Sequence, residues 1–308
     1  MSAYHVPVML REVLEYLRPE RGGQFFDGTL GGGGHAEAVL AASPDARVIA
    51  VDQDREALEV AGNRLKRFGD RVRLVHANYA DAAEAVAEPL AGALLDLGVS
   101  SHQIDDPARG FSFRPGTPLD MRMEAGRGSG QDQTAADLLN ELSESELADV
   151  FYYYGEERRS RRLAAEVVKA RRVSPFRVSD DLLAVLARAL GPRLEAQDKA
   201  RIFQALRIAV NDELAGLERA LPILRDRLEP AGVLVVLSYH SLEDRRVKDA
   251  FREWSRACVC PPELPVCRCR GVALGELLTR RAVQASAEEV ALNARARSVR
   301  LRAWRKAA

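Results

Sequence analysis

Three strand-like runs that close on an aspartate constrain this chain most. They are "QFFD" (Gln24–Asp27), "RVIAVD" (Arg47–Asp52) and "AGALLDL" (Ala91–Leu97), whose acid is Asp96. Between them lie segments of helical period. Gly34–Ala42 reads as one helix, and Asp54–Arg67 as another with apolar positions at Ala57, Leu58, Ala61 and Leu65. Val72–Val75 is a further short strand, and Ala80–Ala87 a further helix. Strand and helix in strict alternation predict an α/β fold, a parallel sheet with helices on both faces.

The alternation stops after Leu97. Residues 98–133 are rich in Gly, Pro, Ser and Asp without periodicity, and a loop that long is more often functional than idle. Thr134 to Leu190 reads as helical, with Asp137, Ser143 and Ser179 as caps. Gln197–Arg227 reads as one long helix that Pro222 kinks or breaks. "GVLVVLSYHS" (Gly232–Ser241) and "SVRLRAW" (Ser298–Trp304) return to strand character. The expected organisation is a sheet domain from residues 1–105 and 200–308, interrupted by a helical domain over 106–199. No apolar run approaches the roughly 18 residues of a membrane span, and the N-terminus lacks the pattern of a signal peptide. A cytoplasmic protein is expected.

"GTLGGGGH" (Gly28–His35) follows the first strand. A Walker loop requires Lys followed by Ser or Thr, whereas His35-Ala36 stands here. Gly31, Gly33 and Ala36 fit a permissive dinucleotide fingerprint, with Asp52 near the distance at which that motif places its ribose-binding acid. Asp27 and Asp96 count against a pyrophosphate, because carboxylates in a cleft repel it. Three acids at strand ends suit a ligand with hydroxyls and positive charge. S-adenosylmethionine, with a ribose diol, an ammonium and a sulfonium, is such a ligand.

The chain resembles the ribosomal small-subunit RNA methyltransferase H family. The resemblance rests on "HVPVMLREVL" (5–14), "DGTLGGGGH" (27–35), "LLDLGVSSHQIDDPARGFSF" (94–113), "PLDMRM" (118–123), "YGEER" (154–158), "RIFQALRIAVNDEL" (201–214), "SYHSLEDRRVK" (238–248) and "NARARSVRLR" (293–302). It implies a class I methyltransferase (Rossmann-like) sheet with an inserted all-helical domain. It also implies methylation of the exocyclic N4 amine of a cytidine in the decoding region of small-subunit ribosomal RNA. S-adenosylmethionine is the cofactor implied, with contacts from Gly33, Gly34, His35, Asp52, Tyr79, Asp96 and Gln103. Asp52 would accept from the ribose hydroxyls, and Tyr79 would stack on adenine.

The Pro-Pro-aromatic motif of many amine methyltransferases is absent; "DLGVSS" (Asp96–Ser101) stands in its place. His240, in "SYHSLEDR", is the expected catalytic residue, a proton acceptor near neutral pH. The net charge is zero, yet Arg245 onward carries fifteen Lys/Arg against six Asp/Glu. That excess, with "RRSRR" (Arg158–Arg162), Lys169, Arg171 and Arg172, offers phosphate contacts. In "GFSF" (Gly110–Phe113), Phe111 and Phe113 are read as loop anchors ahead of base-stacking platforms, and "FYYY" (Phe151–Tyr154) as core.

All four cysteines, Cys258, Cys260, Cys267 and Cys269, fall within twelve residues as two C-x-C pairs. The usual zinc knuckle is C-x₂-C, so no metal ligand is assigned. The expected partner is small-subunit ribosomal RNA or the small subunit itself, without a membrane; the sequence leaves a homodimer open. The alternatives are an NAD-dependent oxidoreductase and an inactive RNA-binding assembly factor.

Overall fold

The structure is a computed structural model that describes residues 7–100, 103–104, 106–124, 133–191, 194–261, 266 and 268–308. Two compact units divide it, one from residues 1–98 with 215–308, the other from 99–214.

The first unit is built on a sheet of β1 (Gly23–Asp27), β2 (Ala46–Asp52), β3 (Val72–His76), β4 (Leu90–Asp96), β5 (Leu228–Ser238), β6 (Gly275–Leu277) and β7 (Arg300–Lys306). Among the described residues these seven strands run in the order β3-β2-β1-β4-β5-β7-β6. β1 to β5 pair in parallel, whereas β7 is antiparallel to both β5 and β6. This is the class I methyltransferase sheet. Its helices are α1 (Leu10–Leu17), α2 (Gly34–Ala42), α3 (Arg55–Leu65) and α4 (Tyr79–Ala85).

Strand alternation sorts the apolar side chains onto two faces. Phe25, Val48, Ala50, Leu94, Val233 and Val235 join Val13 of α1, Val39 of α2 and Leu65 of α3 in one cluster. Phe26, Ile49, Val51, Leu95, Leu234 and Val236 join Ala83 of α4 in the other. Both faces are dry, so β2, β4 and β5 read as near-continuous apolar runs.

The second unit holds α5 (Ala135–Glu141), α6 (Glu144–Asp149), α7 (Ser160–Arg171), α8 (Ser179–Leu190) and α9 (Ala196–Asn211), around Leu139, Leu147, Phe151, Leu163, Leu186 and Leu206. These helices lie between β4 and β5 in the chain, and the unit spans residues 99–214 beside the 106–199 expected for a helical domain. Gln103 and Arg109 both bond the Met123 carbonyl, and Ile202, Phe203, Leu206 and Val210 of α9 pack into the helical core.

The expected long helix is two helices, α9 and α10 (Glu213–Arg227). They part at Asp212, whose left-handed φ of 48° ends α9. α10 instead runs straight through Pro222, and Leu221 and Leu224 bury beside it against the sheet. Thr134, not Asp137, caps α5; Asp137 closes that capping box from its third position. Ser143 caps α6 as expected, while Ser179 is the first residue of α8. α11 (Ser241–Trp254) follows β5, and α12 (Ala287–Leu292) precedes β7. Trp304 of β7 stacks edge-on to Trp254 at 5.3 Å and donates to Ser255 Oγ at 3.0 Å.

Candidate active site

Register brings the three acids together. β1 lies between β2 and β4, with Asp27 level with Ala50 and Leu94. Asp52 and Asp96 therefore extend two residues further on either side of it. This carboxyl edge is where an open parallel sheet binds its ligands. Thr29 joins two of the ends: its amide donates to Asp27 Oδ1 at 3.2 Å, and its hydroxyl accepts from the Asp96 amide at 2.6 Å.

Two glycines shape the loop above. Gly31 adopts φ +49°, a left-handed conformation that turns its amide onto Asp52 Oδ2 at 2.8 Å. The Asp54 amide donates to Asp52 Oδ1 at 2.8 Å. Each oxygen of Asp52 is thus held by a backbone N–H. Gly33, at φ +77°, caps α2, and a Cβ there would meet Ala61 Cβ at 3.1 Å. The loop's Gly31 amide is spent on a carboxylate, which is the opposite of a phosphate cradle.

The electrostatics follow from burial. Asp27 is pushed up to about 6 by desolvation, partly offset by the His35 charge and the Thr29 amide. Asp52 also rises to about 6 through burial, against the Asp54 and Gly31 amides. Asp96 rises to about 7; burial dominates, the Tyr239 hydrogen bond opposes it, and the Glu243 charge adds to it. The raised values mark three buried carboxyls that hold protons more readily than exposed ones do.

His35, in the first turn of α2, is buried, and its Nε2 lies 3.0 Å from the Val8 carbonyl. That contact fixes the proton on Nε2 and leaves Nδ1 facing Asp96 Oδ2 at 3.7 Å. Burial lowers the basicity of the ring. Gly34 starts α2 against Pro7. Tyr79 opens α4 just past the carboxyl end of β3, its hydroxyl close to Gly216. Six of the seven expected cofactor residues, Gly33, Gly34, His35, Asp52, Tyr79 and Asp96, thus belong to the sheet unit, on the carboxyl side of its strands. Gln103 belongs to the helical unit. It is buried there, accepts from the Ser100 amide at 2.9 Å and donates to the Met123 carbonyl at 3.2 Å.

His240 is the N-cap of α11. Its Nδ1 accepts from the Glu243 amide at 3.4 Å, while Nε2 lies 3.0 Å from Glu243 Oε1 without the alignment of a hydrogen bond. Glu243 Oε2 accepts from the Tyr239 amide at 2.8 Å. Tyr239 is the residue that sequence reasoning missed: its hydroxyl donates to Asp96 Oδ1 at 2.9 Å. Its only signal was adjacency to His240 in "SYHS".

Several expected RNA contacts are committed elsewhere. Arg302 is buried in a bidentate pair with Asp244, Arg305 pairs with Glu276, and Arg171 bonds the Leu139 and Leu142 carbonyls. Arg158, Arg161, Arg162, Lys169 and Arg172 stay exposed along one unit. Phe111 packs against the helical core, and Phe113 meets Phe203 edge-on at 5.8 Å. Phe151 is fully buried, but Tyr152 and Tyr153 are 54% and 62% exposed, so "FYYY" is core at one end only. Of the cysteines, Cys267 lies outside the described residues, as do residues 101–102 of "DLGVSSH" and residues 5–6 of "HVPVML".

The chain is similar to known proteins over nearly its whole length. A relative from Gemmatimonas aurantiaca, a ribosomal RNA small subunit methyltransferase H, is 52% identical over 99% of this chain and 96% of its own length. Relatives of the same name from Geobacter sulfurreducens and Geotalea uraniireducens are 50% and 48% identical, covering 99% and 98% of this chain and 100% and 98% of their own. The sequence model of the MraW methylase family matches residues 2–307, and with that match spanning both the carboxylate-lined edge and the helical insertion, the chain belongs to the MraW methylase family.

Proposed function

We propose that the protein transfers a methyl group from S-adenosylmethionine to the N4 amine of a cytidine in the decoding region of small-subunit ribosomal RNA. The observation that carries the cofactor reading is the row Asp52, Asp27, Asp96 on adjacent strand ends, beneath a glycine loop whose Gly31 amide already serves Asp52. That arrangement fits a cation with a diol and disfavours the pyrophosphate of a nicotinamide dinucleotide. The ribosomal RNA substrate is supported by the names of the relatives and by the exposed arginines of the helical unit. Work on that substrate places the protein in the cytoplasm.

When bound, the cofactor supplies an electrophilic methyl on a sulfonium. Asp52 holds the ribose hydroxyls, and Tyr79 offers its ring to the adenine. Gly33, Gly34 and His35 line the approach, and Gln103 is a further proposed cofactor contact. Asp96 accepts a hydrogen bond from the cytosine amine, which raises the lone-pair density that conjugation with the ring withdraws. Its carboxyl titrates near neutrality, which suits a group that holds a proton transiently. His240 is proposed alongside it as proton acceptor, with Glu243, 3.0 Å from Nε2, stabilising the imidazolium.

The test is methyl transfer from isotopically labelled cofactor to small subunits lacking the modification, followed by nuclease digestion and mass spectrometry. Labelled N4-methylcytidine, lost in Asp52→Ala, is the expected result. Label on a ring carbon or a ribose, or no transfer, refutes the proposal.

A further inference from the structure

We propose that Cys258, Cys260 and Cys269 form a zinc-binding site that clamps the connection between α11 and β6. One sulfur from each of the three comes within 4.8 Å of the others. A Zn–S bond of roughly 2.3 Å gives a tetrahedral S···S edge of roughly 3.8 Å, so a shift of about 1 Å closes the set on an ion.

The backbone around the sulfurs is organised as two interlocking arms. The Val259 amide, between Cys258 and Cys260, donates to Cys269 Sγ at 3.3 Å. In return the Arg268 amide, next to Cys269, donates to Cys260 Sγ at 3.4 Å. These N–H···S contacts hold a sulfur of each arm against the backbone of the other, which orients them toward one another.

A second observation is independent of the sulfurs. Twenty residues separate α11 from β6, longer than an ordinary connection. None of its described residues is buried, and Val266 and Val272 are 67% and 63% exposed. Apart from Leu274, which packs against the sheet's core next to β6, apolar burial does not fix the described residues of this segment. What the structure shows instead is Arg270 bonded to Glu253 and to the Arg256 carbonyl, the Leu274 amide on the Trp254 carbonyl, and the sulfurs. A loop without a core whose thiols nevertheless converge is the situation in which small metal sites supply folding energy.

The ligand set decides the metal. Among the described residues the set is three soft thiolates, which select a thiophilic ion over magnesium or calcium. Each S–H proton passes to solvent as its Zn–S bond forms. Three thiolates on Zn²⁺ leave a net charge of −1, which Arg268, next to Cys269 in the chain, offsets. One position of the tetrahedron remains for a fourth donor.

The test uses the full-length protein, reduced and freed of metal, then offered zinc or cobalt. One zinc per chain is expected by elemental analysis. The cobalt form is expected to show thiolate-to-metal charge transfer and the intense visible bands of a tetrahedral ion. Both should be lost in the Cys260→Ser/Cys269→Ser double variant, with far-ultraviolet circular dichroism retained. Should that variant fail to fold, the wild-type cobalt spectrum and the thiols exposed on chelation decide alone. Reduced protein that takes up no zinc from excess, a cobalt spectrum lacking thiolate bands, or a disulfide among these cysteines in the reduced protein overturns the site.

Discussion

The proposed cofactor site is proton-linked, and the size of the linkage follows from two carboxyls. Asp52 and Asp96 stand at about 6 and about 7 in the free protein. A cationic ligand binds their ionised forms, so binding releases whatever protons they still hold. Between pH 7 and pH 6 the ionised fraction of Asp96 falls from about one half to about one eleventh. That of Asp52 falls from about ten elevenths to about one half. With these two taken as independent, and with Asp27, whose Oδ1 the Thr29 amide holds, keeping its protonation on binding, S-adenosylmethionine binds about tenfold more weakly at pH 6, a loss of ~1.4 kcal/mol. Affinity rises with pH because the free protein holds more protons than the complex. Calorimetry at pH 6, in two buffers of different protonation enthalpy, should report release of about 1.4 protons per cofactor bound. Asp96→Asn should reduce the pH effect to about twofold, the share of Asp52. S-adenosylhomocysteine, which lacks the sulfonium charge, should show a shallower dependence. An affinity that is flat between pH 6 and 7, or proton uptake on binding, would refute the idea that these carboxylates face the ligand's charge.

Other outcomes follow from single contacts. His240→Asn keeps a capping oxygen for α11 but removes the titratable ring. It is expected to slow turnover about a hundredfold while leaving cofactor affinity unchanged, and an unchanged rate in single-turnover assays would confine His240 to the cap. Arg302→Met leaves Asp244 buried without its bidentate partner and should cost about 3–5 kcal/mol in urea denaturation. Burial alone would raise the Asp244 carboxyl, but its bonds to Arg302 and Arg300 outweigh that and hold it below its ordinary value. The stability it contributes is therefore present above the ordinary carboxylate value and lost as pH falls below it. Gly31→Ala and Gly33→Ala each pay about 1 kcal/mol for a left-handed φ. Only Gly33→Ala also presses on Ala61, so it should have the lower melting temperature of the two.

The sequence conveyed the sheet unit well because its strands are buried on both faces. Continuous apolar runs such as "RVIAVD" have no other comfortable home, and the acids that end them mark where the sheet stops. Gly34–Ala42 was read to the residue. The helix break at Asp212 was not legible, since a non-glycine residue in the left-handed region leaves little local trace, whereas Pro222 suggested a break that packing overrides. The short β6, α1 and α12 are held by tertiary contacts, which a local pattern does not announce. Tyr239 escaped for a related reason. Its role depends on β4 and β5 being neighbours, and that pairing becomes visible only when the sheet is assembled.

That pairing also orders the events of folding. β4 and β5 are hydrogen-bonded neighbours, yet the whole second unit intervenes between them in the chain. Closing a disordered loop of that length is entropically costly and slow, whereas helices such as α5 to α8 meet through contacts local in sequence. The helical unit has its own apolar core, so it can consolidate first and turn a long flexible tether into a compact one. Pulse-labelled hydrogen exchange should then find the α7 and α8 amides protected before those of β5. On that order of events, destabilising the core of the insertion should delay formation of the carboxylate-lined edge without touching a single residue there.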